Sequence, residues 1–227
     1  MNGLFFAKDI SLDKFYNKST LNIFSDASII GSKKNFTGCY GVVAVCEDDV
    51  IDSLFRLVSH TTSNNSEIKG IRGAISIANK YKYNFKQINI FSDSQISVFG
   101  LRDYIYKWRY NVNNGLLYGT SGSPIVNQEI FIESYYMLLN IINTVPVSIF
   151  HQSGHVDNRY DRLKEAANVF ARSNNIKGNI DLNFIRYIST YNNYVDQTSR
   201  SILRRSNTEP EFIDPVSFSA KGKINRY

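Results

Sequence analysis

Four acidic residues stand where an α/β chain could do metal-assisted chemistry. Asp26 follows the run Leu21-Asn22-Ile23-Phe24-Ser25, and Asp93 follows Ile88-Asn89-Ile90-Phe91. Glu67 lies near the start of a helical pattern carried by Ile68, Ile71, Ile75 and Ala78. Asp161 lies near the start of another, carried by Leu163, Ala166, Ala167 and Phe170. Strand ends and helix starts line the functional edge of an α/β sheet. Carboxylates at the ends of neighbouring strands repel unless cations hold them. All-oxygen donors suit hard ions such as Mg²⁺, with Mn²⁺ as an alternative. Two such ions about 4 Å apart suit phosphodiester hydrolysis, one activating the water and the other stabilising the leaving oxygen. Each acid alone has an ordinary explanation, as a helix cap, a dipole partner or a turn residue. The joint pattern favours the metal-site reading.

The elements that must position these acids are legible from periodicity. Residues 21–25, 38–46 and 50–59 read as three closely spaced strands of an antiparallel meander. A helix follows, capped by Asn64 or Ser66, with Ile68 to Ala78 on its apolar face. Residues 88–91 are a fourth strand, Ser94 to Tyr106 a helix, 115–123 a loop, and Val126 to Asn143 a long helix. Residues 146–150 are a fifth strand, and Asn158 to Ser173 a third long helix. The order β-β-β-α-β-α-α-β-α implies an α/β fold. Its mixed five-stranded sheet has three antiparallel strands, then two reached by helical crossovers, with helices on both faces. Residues 1–20 read as a lead-in and 21–174 as the catalytic domain. Residues 175–227 read as a helical extension ending in a basic tail that holds Lys221, Lys223 and Arg226.

Composition narrows the function classes. The chain has 227 residues and a net charge of +6, a balance that favours polyanion partners such as nucleic acid. Two cysteines, Cys39 and Cys46, exclude a disulfide scaffold. His60, His151 and His155 lack the Cys partners of a zinc site. No phosphate-cradling Gly-rich loop and no Gly-x-Ser-x-Gly elbow is present. No run reaches the ~18 apolar residues of a membrane span, and no signal peptide is evident. The expected location is therefore the cytoplasm, or the host cytoplasm for a viral chain, with no membrane association.

Four motifs carry a resemblance to type 1 ribonuclease H. Ile23-Phe24-Ser25-Asp26-Ala27-Ser28 resembles the strand followed by Asp-Gly-Ser, with Ala27 in place of Gly. Ser63-Asn64-Asn65-Ser66-Glu67 resembles Thr-Asn-x-x-Glu. Ile90-Phe91-Ser92-Asp93-Ser94-Gln95 resembles Thr-Asp-Ser-Gln. Gly154-His155 with Asn158, Asp161, Leu163 and Ala166 resembles the closing Gly-His…Asn-x-x-Ala-Asp-x-Leu-Ala motif. The resemblance covers about residues 20–174 and keeps the element order. It implies an endonuclease of a phage or bacterium, binding two Mg²⁺ ions. That enzyme cuts the RNA strand of an RNA/DNA hybrid, leaving 5′-phosphate and 3′-hydroxyl ends. Asp26, Glu67, Asp93 and Asp161 would hold the metals, and His155 would assist proton transfer. Asn64 and Gln95 would hydrogen-bond near the RNA 2′-hydroxyls.

Several alternatives stay open within this reading. Asp161 is six residues on from His155 and ten on from His151. The Gly-His context favours His155, and the family's longer spacing favours His151. Asn192-Asn193-Tyr194-Val195-Asp196 also has the shape of the closing motif. Its distance from the fifth strand favours Asp161 over Asp196 as the fourth acid. Lys107 and Arg109, amid Tyr104, Tyr106, Trp108 and Tyr110, are candidates for DNA phosphates. Trp108 reads as a core residue rather than a contact. The competing function is a module of the same fold that binds nucleic acid or a protein partner without cutting. No obligate protein partner is evident.

Overall fold

A computed structural model describes residues 9–32 and 35–208. Three long strands come first: β1 (Thr20–Ser32), β2 (Asn35–Cys46) and β3 (Asp49–Ser59), paired antiparallel in sequence order. Helix α1 (Ser63–Tyr81) starts at Thr62, whose hydroxyl accepts the Asn65 N–H. It leads to β4 (Gln87–Ser92), which pairs parallel to β1. Helix α2 (Gln95–Phe99) runs into irregular turns over 100–107, then a hairpin of β5 (Arg109–Asn111) and β6 (Leu116–Tyr118). Helix α3 (Gln128–Ile142) leads to β7 (Val147–His151), parallel to β4. Helices α4 (Tyr160–Ser173) and α5 (Leu182–Thr208) follow. The sheet order β3-β2-β1-β4-β7 is the expected mixed five-stranded arrangement. No helix of the described residues is long and apolar enough to cross a membrane.

Register across the three parallel strands sorts side chains into rows. Ile23, Ile90 and Ile149 form one row, and Phe24, Phe91 and Phe150 the next. Successive residues of a strand face opposite sides of the sheet. The isoleucines accordingly join the core shared with α1 and α3, and the phenylalanines the core shared with α4 and α5. Phe24 stacks on Phe91 at 5.0 Å between centroids, and Phe91 on Phe150 at 5.3 Å. Three rows below the serine row of Ser25 and Ser92, Asn22 and Asn89 are buried and paired. Asn89 Nδ2 donates to Asn22 Oδ1, and Asn22 Nδ2 donates to Phe15 O and to the Tyr187 hydroxyl. Buried amides are tolerated when bonded in this way.

Four local expectations change. Helix α1 is capped by Thr62, not by Asn64 or Ser66. β1 runs on to Ser32 because β2 pairs with it along its whole length, so Asp26 lies inside a strand rather than closing one. The helix expected over 94–106 loosens at Gly100, where a Cβ would lie 2.4 Å from a Phe131 ring carbon. The loop expected over 115–123 contains β6.

The domain boundary expected at 174 runs through a single core. Phe184, Tyr187, Ile188, Tyr191, Val195 and Leu203 of α5 are buried in the same cluster as Phe24 and Phe91. The lead-in joins it too: Ile10 bridges to Ile180, and Phe15 packs on Phe184 at 4.4 Å. The basic tail residues Lys221, Lys223 and Arg226 lie outside the described residues. Burying one large apolar side chain is worth roughly 1.5–3 kcal/mol, so the six from α5 represent about 9–18 kcal/mol, as much as a domain's usual margin of ~5–15 kcal/mol. A chain ending at Asn174 should lose cooperative unfolding in urea. A sharp two-state transition for that fragment, followed by circular dichroism, would show that α5 is dispensable.

Candidate active site

Register brings the first two acids together. The β1–β4 pairing ends at Ser25 and Ser92, and the next residue in each chain is Asp26 and Asp93. Both share the parity of Phe24 and Phe91, so both belong to the sheet face that α5 covers. Helix α5 then matches the strands in height. A helix rises ~1.5 Å per residue and a strand ~3.3 Å, so four or five helical residues span about two strand residues. Tyr187 meets Asn22, Tyr191 stacks on Phe24 at 5.2 Å, and Asp196 reaches the level of Asp26.

The remaining contacts close the site. Glu67 lies in the second turn of α1, past the cap. Its Oε2 accepts from Ser94 Oγ at 2.6 Å and its Oε1 from Ser63 Oγ at 3.1 Å. Asn192 Nδ2 donates to Asp93 Oδ2 at 3.3 Å. Asp196 Oδ1 accepts from Ser28 Oγ at 3.2 Å and from Arg200 Nε at 2.8 Å. Asp196 Oδ2 is 3.5 Å from His155 Nδ1. Gly154 passes so close to Asp93 that a Cβ there would lie 2.3 Å from Oδ2.

Burial makes these charges costly. Desolvation first, then the Asp93 charge, push the Asp26 carboxyl up to about 8. Asp196 and Glu67 push the same way, and the Ala27 N–H, donating to Asp26 Oδ1, opposes them. Asp93 is also raised, by burial and by Glu67; the Asn192 amide and His155 pull it back. Three further carboxylates thus act on Asp26, and all come from different elements.

The expected residues fall into three groups. Asp26, Glu67, Asp93 and His155 converge. Asn64 and Gln95 are exposed, three residues before Glu67 and two after Asp93 respectively. Lys107 and Arg109 are exposed by the β5–β6 hairpin, with the Lys107 ammonium 5.6 Å from the Tyr104 ring. Trp108 packs edge-on against Phe131 at 5.0 Å, as a core residue.

Asp161 does not join the cluster, and the preference for it over Asp196 reverses. Leu163, Ala166 and Phe170 turn α4 toward the core. At ~100° per residue, Asp161 lies roughly 140–200° around the helix from them. It is exposed, and its charge acts on Arg159. The two histidines also separate. His151 is buried, with Nε2 3.2 Å from the Asp93 carbonyl, and burial holds its imidazole below the usual range. His155 is exposed, beside Asp196 and 3.3 Å from Arg200 Nη2. Asn192 and Arg200 belong to the alternative closing motif around Asp196, where Asn192, Asp196 and Arg200 stand at successive helical turns. Gln152 carries no motif signal of its own.

The donor set fits a hard divalent cation: carboxylates only, two of them buried together at a cost that opposite charge would relieve. Among the described residues, no group of three or more His, Cys, Asp or Glu side chains is arranged to hold a metal ion.

Fold and site together define an α/β protein with carboxylates gathered at one end of its parallel strands. The chain belongs to the RNase H family, whose model matches residues 18–174. The foamy viral protease-reverse transcriptase in complex with RNA/DNA hybrid has the same fold. It matches at 14% identity over 69% of this chain and 20% of that one, with a TM-score of 0.50. An RNase H1 from the halophilic archaeon Halobacterium salinarum NRC-1 matches at 16% identity over 66% and 93% of the two chains, with a TM-score of 0.40. LC11-RNase H1 in complex with RNA/DNA hybrid matches at 15% identity over 66% and 97%, with a TM-score of 0.44. No curated protein matches the sequence.

The raised Asp26 carboxyl has a consequence for stability. Its folded value lies above the unfolded 3.8, so ionisation destabilises the fold as pH rises from about 4 toward 8, and below 4 the penalty vanishes. Asp26→Asn should therefore raise the melting temperature in metal-free buffer at pH 8. A gain of about 1–2 kcal/mol corresponds to roughly 2–8 °C for a domain of this size. The gain should disappear near pH 4. Melting curves with equal shifts at both pH values would refute the buried-charge account.

Proposed function

We propose that this protein is a divalent-metal-dependent endonuclease that hydrolyses the RNA strand of RNA/DNA hybrids, leaving 5′-phosphate and 3′-hydroxyl ends. The observation that carries the reading is the pair of carboxyls, Asp26 and Asp93, brought together where the β1–β4 pairing ends, with Glu67 and Asp196 also acting on Asp26. Membership of the RNase H family supports the reaction class. Asp26, Glu67, Asp93 and Asp196 would hold Mg²⁺ or Mn²⁺, with Asp196 in the role first expected of Asp161. Two bound ions would supply an ionised water at neutral pH and a counter-charge for the leaving oxygen.

The chain's own groups do the rest. His155 is exposed, so its ring can exchange protons with solvent while Nδ1 faces Asp196. We assign it, rather than the buried His151, to proton transfer. Asn64 and Gln95 present exposed amides that can donate and accept at a ribose 2′-hydroxyl, the group that separates RNA from DNA. Lys107 and Arg109 offer cationic contacts to the phosphates of the DNA strand.

The test is cleavage of an end-labelled hybrid, beside RNA and DNA duplexes, with Mg²⁺ or EDTA. Only the hybrid's RNA strand should be cut, and only with metal. Asp93→Asn and Asp196→Asn should abolish cutting, whereas Asp161→Asn should cut like the parent. Activity lost in Asp161→Asn and retained in Asp196→Asn would return the fourth position to α4. His155→Ala should slow turnover by roughly 10²-fold, the scale of general acid–base assistance. The same loss from His151→Ala, with His155→Ala unaffected, would exchange their roles.

A further inference from the structure

The row that holds Asp26 and Asp93 has a third member. The Gln152 N–H donates to Ser92 O at 3.1 Å, carrying the β4–β7 pairing one residue past His151. Gln152 therefore falls on the same sheet face as the two acids, under α5. It is 1% exposed, as is Asn192. Gln152 Nε2 donates to Asn192 Oδ1 at 2.7 Å, and Asn192 Nδ2 donates to Asp93 Oδ2 at 3.3 Å. An unbroken relay of amides thus runs from the end of β7, through α5, to the acid at the end of β4. On its other side, Asp93 Oδ2 abuts Gly154, which has no room for a Cβ.

The relay has a direction. An ionised carboxylate only accepts, so Asn192 must present its NH₂ to Asp93. The Asn192 oxygen then faces away, and Gln152 meets it with an NH₂. Reversing Asn192 would set an amide oxygen against a carboxylate oxygen and leave a buried donor unmatched, a cost of ~1–3 kcal/mol.

We propose that Asn192 and Gln152 are positioning residues for Asp93, and that the relay sets the orientation of its carboxylate and hence the site's affinity for a divalent cation. The inference rests on the metal-dependent reading of the site. Groups that orient a metal ligand typically contribute roughly 10–100-fold in affinity or activity. Asn192→Leu, close in volume but without a donor, should weaken Mn²⁺ binding by that factor in calorimetry. On the hybrid, kcat should fall with it while KM holds. The Gln152 side chain bonds Asn192 rather than Asp93, so its variants separate orientation from loss of the direct bond. Gln152→Met removes the donor and should cost less than Asn192→Leu. Gln152→Glu puts an acceptor against the Asn192 oxygen, turns that amide over and should cost more than Gln152→Met.

A metal-free readout keeps the relay separate from the function. In ¹⁵N-labelled protein, the Asn192 side-chain amide signals should move on Asp93→Asn and on Gln152→Met. Wild-type protein that binds no Mn²⁺ and cuts nothing, with those signals moving, would end the nuclease reading and keep the relay. Stationary signals in both variants would overturn the relay. So would an Asn192→Leu protein that melts like the parent and binds Mn²⁺ as tightly. If Gln152→Glu does not fold, Asn192→Leu and the amide signals decide the matter.

Discussion

Two like charges drawn together where the pairing of adjacent parallel strands ends are the constraint on which the rest of this structure depends. Strand register brings Asp26 and Asp93 together. Their backbones are locked by the hydrogen bonds that end at Ser25 and Ser92, and beneath them the Phe24–Phe91–Phe150 row is packed by helices. A softer scaffold would let the carboxylates swing apart into water. Here the sheet is covered on both faces, so the repulsion appears as raised carboxyl groups instead of a distorted site. An active site that opposes folding in this way needs stability from elsewhere, and the two hydrophobic cores supply it.

Helix α5 serves both needs at once. Its lower half is apolar and aromatic where it crosses the phenylalanine row, with Phe184, Tyr187 and Tyr191 buried. Its following turns present Asn192, Asp196 and Arg200 where the β1–β4 pairing ends. The change in side-chain type along the helix follows the change in what the sheet offers beneath it. Arg200 also bonds Asp196 from one turn further on and approaches His155, so this corner carries compensating positive charge of its own. The Asp26–Asp93 corner has the neutral Asn192 amide instead. The two ends of the site are thus electrostatically unequal, which suits ions or phosphates of unequal tasks.

The strand and helix pattern, the mixed sheet and three of the four converging acids were legible in the sequence. The reason is local in each case. Alternating and helical periods are written by burial on one face, and the motifs around Asp26, Glu67 and Asp93 are each a few consecutive residues. The full length of β1 was not legible, because residues 26–32 are held in a strand by pairing with β2 alone.

The sequence by itself determined which segments are strands and which helix faces are apolar, since both follow from short-range periodicity. Tertiary structure decided which acid joins Asp26, Glu67 and Asp93. Asp161 and Asp196 each follow an Asn in a similar pattern, and proximity to the fifth strand favours the first. Packing decides otherwise: α4 buries Leu163, Ala166 and Phe170 and so turns Asp161 to solvent, whereas α5 lies across β1 and β2 and carries Asp196 to Asp26. The role of the Gln152 and Asn192 amides was hidden for the same reason. They are 40 residues apart in the chain and meet only because β7 and α5 are brought together over one carboxylate.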